Sequence, residues 1–250
     1  MIVLKTRREL DLMREACRIS ANALREAGKA VEPGVSTKEI DDVVRNYIRK
    51  QGASPSFLGY GGFPASACIS VNNVVIHGIP SKKQILKRGD IVSVDVGAFI
   101  GGFHGDNAYT YACGDISKEA RALLDATKES LYEGIKQAKA GNRVGDIGNA
   151  VQSYAEARSY SVVRDYVGHG VGANLHEDPS VPNYGTPHRG LKLLPGMTIA
   201  IEPMVNEGTY HVRVMPDKWT VKTVDGKLSA HFEHTVAITP DGPRIMTICD

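Results

Sequence analysis

Apolar residues recur at helical spacing in two stretches near the start of the chain. Thr6 and Glu9 have the spacing of a capping box, and Met13, Ala16, Cys17, Ala23, Leu24 and Ala27 then mark one face of a helix. Ser36 and Glu39 form a second box, opening a helix whose apolar face is Ile40, Val43, Val44, Tyr47 and Ile48 and which stops at Gly52. Alternation then replaces the helical period. Ile91 to Ala98 reads as a strand, Ile100-Gly101-Gly102 as a turn, and Phe103 to Tyr111 as the returning strand of a hairpin. A loop centred on Ile100 and Gly101 would set Asp95 directly opposite Asp106.

The same pattern returns later. A shift of 107 positions lays Cys17 and Leu24 on Leu124 and Leu131, and Ile40, Val44 and Tyr47 on Ile147, Val151 and Tyr154. Gly89 falls on Gly196, and the strand IVSVD (Ile91 to Asp95) on TIAIE (Thr198 to Glu202), so Asp95 corresponds to Glu202. With a longer offset, FHGDNAYTY (Phe103 to Tyr111) matches AHFEHTVAI (Ala230 to Ile238) and lays Asp106 on Glu233. The pattern predicts an α/β (α+β) fold with antiparallel sheet, built as one catalytic domain over residues 1–250 with half-repeats at about 6–112 and 113–250.

Apolar periodicity alone could match by chance, but the acids do not share that explanation. A carboxylate in an apolar strand is costly unless it is paired or binds a metal. Four of them at repeat-related positions point to one interior site between two halves facing across a pseudo-twofold. His169, flanked by glycines in YVGHGVG, is the fifth candidate ligand. Four carboxylates around one divalent ion leave two negative charges uncompensated, whereas two divalent ions balance them. An oxygen-rich set suits manganese or iron(II), with cobalt or zinc also allowed by affinity. Two adjacent metals can activate a water and polarise a carbonyl, which implies metal-assisted hydrolysis. Neither GxSxG nor HExxH occurs in the sequence.

Composition narrows the setting. A formal charge of +2 over 250 residues gives no electrostatic footprint for nucleic acid or an anionic membrane, and the basic run SKKQILKR (Ser81 to Arg88) reads as a solvated connector. Four dispersed cysteines with no CxxC pair indicate neither a disulfide framework nor a zinc knuckle. The first residues turn charged quickly and no apolar stretch approaches a spanning length, so a cytoplasmic protein without leader or anchor is expected.

The order Asp95, Asp106, His169, Glu202, Glu233, with the stretch YVGHGVGANLHEDPSVPNY (Tyr166 to Tyr184), resembles the methionine aminopeptidases of the pita-bread fold, specifically the short bacterial type I form. The resemblance implies that all five residues bind metal, that Asp106 and Glu233 bridge two ions, and that Glu202 also shuttles the proton of the bridging water. It implies that His77 and His176 contact the scissile peptide and its developing oxyanion, as neutral imidazoles can near physiological pH. Phe57, Tyr60, Phe63, Cys68 and Trp219 match the family's methionine pocket, whose aromatic and sulfur-bearing walls suit a thioether. Phe57 and Leu175 depart from the family, which often has a smaller residue at the first position and an aromatic at the second. A monovalent cation near Asn72, Val74 and Ser229 is carried over in the same way. The implied activity is removal of the initiator methionine from nascent chains with a small second residue, by a monomer that associates transiently with the ribosome.

Two other readings compete. Xaa-Pro aminopeptidases and prolidases share the five ligands but usually carry an extra N-terminal domain, whereas here the first repeat helix begins at about Thr6. Non-catalytic pita-bread proteins that only bind peptides lose ligands, and this chain keeps all five.

Overall fold

Both capping boxes form in the computed structural model, which describes residues 1–249. Thr6 caps α1 (Arg7–Lys29) and Ser36 caps α2 (Thr37–Lys50), with Glu9 and Glu39 reaching back to the cap amides. Ile19, Ala23, Leu24 and Ala27 of α1 join Ile40, Val44 and Ile48 of α2 in one buried cluster over Ile69, Val92, Val94, Val96 and Ala98. A second pair, α3 (Lys118–Gln137) and α4 (Val144–Glu156), covers Ile199, Ile201, Val236 and Ile238 through Leu123, Leu124, Leu131, Ile135 and Ile147. The repeat-related residues Cys17 and Leu124, Leu24 and Leu131, Ile40 and Ile147, and Val44 and Val151 are all buried. No helix among the described residues is long and apolar enough to cross a membrane.

Strand Ile91–Ile100 lies antiparallel between Ala67–Val71 and Phe103–Ala112. In the second half, Thr198–Ile201 pairs antiparallel with His234–Thr239, in a five-stranded sheet that also holds Gly168–Gly170, Glu177–Val181 and Gly242–Ile245. Side chains alternate along a strand, so Val92, Val94 and Val96 turning to the helices leaves Ser93 and Asp95 on the opposite face. Ile199 and Ile201 likewise face α3 and α4, which leaves Ala200 and Glu202 facing the other half.

Those two inner faces are joined by hydrogen bonds. The Thr110 hydroxyl donates to the His231 carbonyl at 2.7 Å and accepts from the His231 amide at 2.9 Å. The Glu233 amide donates to the Ala108 carbonyl at 2.9 Å, and the Thr235 hydroxyl to the Asp106 carbonyl at 2.7 Å. Asp106 and Glu233 therefore sit on adjacent backbone segments although they come from different halves.

The hairpin register differs from the sequence expectation. Ile100 pairs with Phe103, Gly97 with Asp106, and Asp95 with Ala108, so Asp95 and Asp106 are diagonal neighbours on one face and not direct partners. The loop is Gly101-Gly102, with φ of 62° and 85°. A tight two-residue hairpin turn of this kind needs positive φ at both positions, which a glycine pair adopts without the strain a side chain carries there. Centring on Ile100 would have forced a β-branched residue into the left-handed region. Diagonal Cα atoms lie about 7–8 Å apart where direct partners have Cβ atoms at about 4.5–5.5 Å, so the observed register leaves more room for ions between the carboxylates.

Candidate metal centre

Each acid reaches the interior from a strand or its end. Asp95 and Asp106 project from the hairpin, Glu202 follows directly on strand Thr198–Ile201, and Glu233 directly precedes strand His234–Thr239. His169 is central in Gly168–Gly170, where a Cβ on either glycine would come within 2.3 Å of a carbonyl oxygen of the neighbouring strands. The flanking glycines thus let this short strand fit between its neighbours with the imidazole turned inward.

Ligand atoms of Asp106, His169 and Glu233 all lie within 4.8 Å of one another. His169 Nε2 is 3.5 Å from Glu202 Oε1 and 3.9 Å from Asp106 Oδ2, while its Nδ1 is 2.8 Å from the Gly170 carbonyl. With Nδ1–H donating to that carbonyl, Nε2 is left with its lone pair toward the carboxylates, as metal ligation requires. Among the described residues, Asp95 Oδ1, Asp106 Oδ1 and Glu233 Oε1 are buried without a hydrogen-bond partner. Such oxygens are rare in a finished interior unless an ion completes them.

Electrostatics lead to the same conclusion. Burial pushes the Asp95 carboxyl up to about 7, with His231 pulling the other way and Glu202 adding to the rise. Burial and then the neighbouring carboxylates raise Asp106 and Glu233 well above the usual range. Glu202 is the exception. Burial raises it, but His231, 3.5 Å away, and the fields of His169 and His77 leave its carboxyl below the ordinary value. Without a cation, then, three of the four acids are driven toward protonation, which a divalent ion would oppose, and the donor set fits an oxygen-rich metal site.

The cavity over this cluster, of about 150 Å³, brings together every residue expected from the sequence to bind metal or substrate outside the monovalent-cation site. Phe57, Phe63, Cys68 and Leu175 form a buried apolar wall, completed by Trp219, whose ring meets Phe63 edge-on at 5.1 Å. Tyr60 stands at the exposed rim with its hydroxyl 2.8 Å from His176 Nδ1. The His176 and His169 rings are tilted by 43° with centroids 4.0 Å apart. His77 follows strand Val74–Ile76 with φ of 57°, its ring edge-on to Tyr166 and Trp219. A non-glycine residue in this region is uncommon, and here it coincides with an imidazole lining the cavity. Burial, reinforced for His176 by His169, lowers both His77 and His176 to about 4, so both are neutral at pH 7. Away from the cavity, the Ser229 amide donates to the Asn72 carbonyl at 3.0 Å, and Val74 opens the adjacent strand.

One residue of this centre was not found in the sequence. His231 is buried, and its Nε2, which has no hydrogen-bond partner among the described residues, lies 3.5 Å from Glu202 Oε2. Its signal was position: it precedes Glu233 by two in AHFEH, so both alternate onto one face of the chain.

Buried carboxylates beside His169 and His231, between two α/β halves, form the donor set of a metal-dependent enzyme. The description "Metallopeptidase family M24" matches residues 11–240, and the chain belongs to that family. It is 55% identical to methionine aminopeptidase 1 of Bacillus subtilis over 99% of both chains. The crystal structure of methionine aminopeptidase from Thermotoga maritima superposes with a TM-score of 0.97 at 47% identity, covering 99% of each chain, and the fold is the pita-bread fold expected from the sequence. A prolidase from Pyrococcus horikoshii shares the fold alone, with a TM-score of 0.80 at 22% identity over 100% of this chain and 65% of that one.

Proposed function

We propose that this protein is a metal-dependent aminopeptidase that removes the N-terminal methionine from polypeptides, preferring a small second residue, and that it does so as one catalytic domain holding two divalent ions. The observation that carries the reading is the single cavity in which an apolar wall of Phe57, Phe63, Cys68 and Trp219 opens onto the carboxylate cluster. The close relatives named methionine aminopeptidase support the same substrate.

Asp95, Asp106, His169, Glu202 and Glu233, which line one cavity, would hold the ions. When bound, divalent metal supplies Lewis-acid polarisation and a nucleophilic water at neutral pH. Glu202, held ionised beside His231 and His169, accepts and returns the proton. His77 and His176, neutral at pH 7, donate hydrogen bonds to the scissile carbonyl as it gains charge. The apolar wall takes the thioether, and burial keeps the Cys68 thiol protonated so that it serves as wall and not as nucleophile. The metal's identity, a monovalent cation at Asn72, Val74 and Ser229, a monomeric state, a cytoplasmic location and transient ribosome contact complete the proposal as its finer and separately testable parts.

Metal-loaded protein is to be incubated with Met-Ala-Ser, Met-Lys-Ser and Ala-Pro-Gly while release of the first residue is followed. Methionine released from the first peptide only supports the reading. Proline-dependent release would move the protein to the prolidase class, and silence with each of manganese, iron(II), cobalt and zinc would make it a peptide-binding relative.

A further inference from the structure

His176 and Leu175 sit on a short loop, residues 172–176, between the strand that carries His169 and strand Glu177–Val181. This loop is tied from below. Glu177 Oε1 accepts the Asn174 amide at 3.1 Å, the Gly172 amide donates to the Asn174 carbonyl at 3.0 Å, and the His104 amide donates to the Gly172 carbonyl at 2.9 Å. The other carboxylate oxygen of Glu177 meets Lys5 Nζ at 2.5 Å, with side-chain exposures of 3% and 6%. Lys5 comes from the segment before α1 and is fixed by its own amide, which donates to the Gly196 carbonyl at 2.7 Å. Its Nζ also donates to the Val3 carbonyl at 3.3 Å. A buried ion pair thus joins the entry of the first half to the base of a cavity loop in the second, 172 positions away.

A buried pair is poor evidence for stability, because desolvation offsets much of its attraction and apolar residues of like size often do as well. What it supplies is direction: a carboxylate with one oxygen on an ammonium and the other on a loop amide has a single orientation. Glu177 is covalently next to His176 and pairs in the sheet with Gly170, which follows His169. We propose that Lys5 and Glu177 form a positioning latch for the loop of Leu175 and His176, setting the His176 imidazole against the substrate carbonyl and Leu175 into the methionine pocket. Neither residue of the latch lines the cavity. The proposal rests on the reading of His176 as a substrate-contacting group.

The test combines kinetics with a direct view of the ring. Lys5→Met keeps the length and apolar stem while removing charge and donors, Lys5→Arg restores both, and Glu177→Gln keeps the shape. Lys5→Met and Glu177→Gln are expected to lower kcat/KM for Met-Ala-Ser about tenfold or more, with Lys5→Arg recovering most of it. In a His176→Ala background, Lys5→Met should lower kcat/KM no further, because the group it positions is gone. The His176 ring resonances of zinc-loaded, ring-labelled protein should shift in Lys5→Met and return in Lys5→Arg. Unmoved His176 resonances in a folded Lys5→Met protein, or a full kcat/KM loss repeated in the His176→Ala background, would overturn the latch. If His176→Ala itself leaves turnover intact, the catalytic reading of His176 falls, and the ring resonances then decide the latch alone. Should Lys5→Met not fold, Glu177→Gln carries the same resonance comparison.

Discussion

The two halves supply equivalent acids by different means. In the first, Asp95 and Asp106 lie within a continuous ladder of ten residues a side closed by a two-glycine turn, and they stand diagonally to each other. In the second, the ladder ends at the pair Ile201 and His234, and Glu202 and Glu233 occupy the next step, beyond the last ladder pair. Short aspartates suit a position within the sheet, while the longer glutamates reach inward from its frayed end. Between Glu202 and Glu233 the chain leaves the sheet and forms the strands Met204–Asn206, Val212–Val214, Val221–Thr223 and Ser229–His231, bringing Trp219 to the cavity. The molecule is therefore symmetric where it would hold metal and asymmetric where it would hold substrate.

The charges divide differently. Asp95, Asp106 and Glu233 are all driven toward protonation, and Glu202 alone is kept ionised by the histidines that face it. The sharpest way to test this division is to remove one acid from each class. Asp106→Ala should take turnover below detection, a loss of at least about 10³-fold, together with bound metal, because it removes the ligand facing both His169 and Glu233. Glu202→Gln should lose turnover to a similar degree while retaining more metal, since an amide oxygen still ligates but accepts no proton. Metal content by elemental analysis beside methionine release separates the two. Equal metal retention in both variants would remove the distinction, and near-normal turnover in Asp106→Ala would end the dinuclear reading.

His77→Ala tests the asymmetric part. It should cost about 10²- to 10³-fold in kcat/KM, the usual loss for one donor to a developing oxyanion, with metal content unchanged. A loss of metal instead would place His77 among the groups that support the metal.

Legibility in the sequence followed the same line of symmetry. The four acids could be found because carboxylates in apolar strands recurred at the repeat, whereas His169 was marked only by its flanking glycines, and the helix pairs could be found because both capping boxes were written out at Thr6 and Ser36. The pocket residues Phe57, Tyr60 and Phe63 lie in a turn-rich segment around the short 3-10 helix Tyr60–Gly62 with no repeat partner, so periodicity carries no trace of them and only the family resemblance singled them out. His231 was passed over for another reason. A histidine in a strand has many bland explanations, and its relation to Glu202 depends on a contact between chain segments that local spacing does not encode.

The metal-free protein should respond to pH with a sign set by the raised carboxyls. A group whose native value lies above its unfolded one contributes stability in acid, which is lost as pH rises through the native value. For Asp95 that window runs from about 4, the ordinary aspartate value, to about 7 in the folded chain. Asp106 and Glu233 shift in the same direction. Melting temperatures of chelator-treated protein should therefore fall as pH rises from about 6.5 to about 8, and manganese should raise the melting temperature more at the alkaline end of that range. His77 and His176, lowered to about 4, act oppositely and cost stability as pH falls below about 6.5, so the chelated protein should pass through a maximum. A flat profile with and without manganese would show that the cluster does not carry the buried charge assigned to it.

The smallest expected effect concerns the turn that sets the first half's register. Gly101 and Gly102 have open space where a Cβ would go, so a methyl group there meets no neighbour and acts only through the positive φ. Gly102→Ala should lower stability by about 1 kcal/mol in a urea titration, the ordinary cost of moving a side chain into the left-handed region. If the ladder keeps its pairing of Gly97 with Asp106, metal affinity and kcat/KM should stay within about twofold, because ten paired residues on each strand hold the diagonal of Asp95 and Asp106 against one strained turn. A large fall in metal affinity would mean that the turn, and not the ladder, holds that diagonal. The first half would then depend on its loop as closely as the second depends on the long excursion between Glu202 and Glu233.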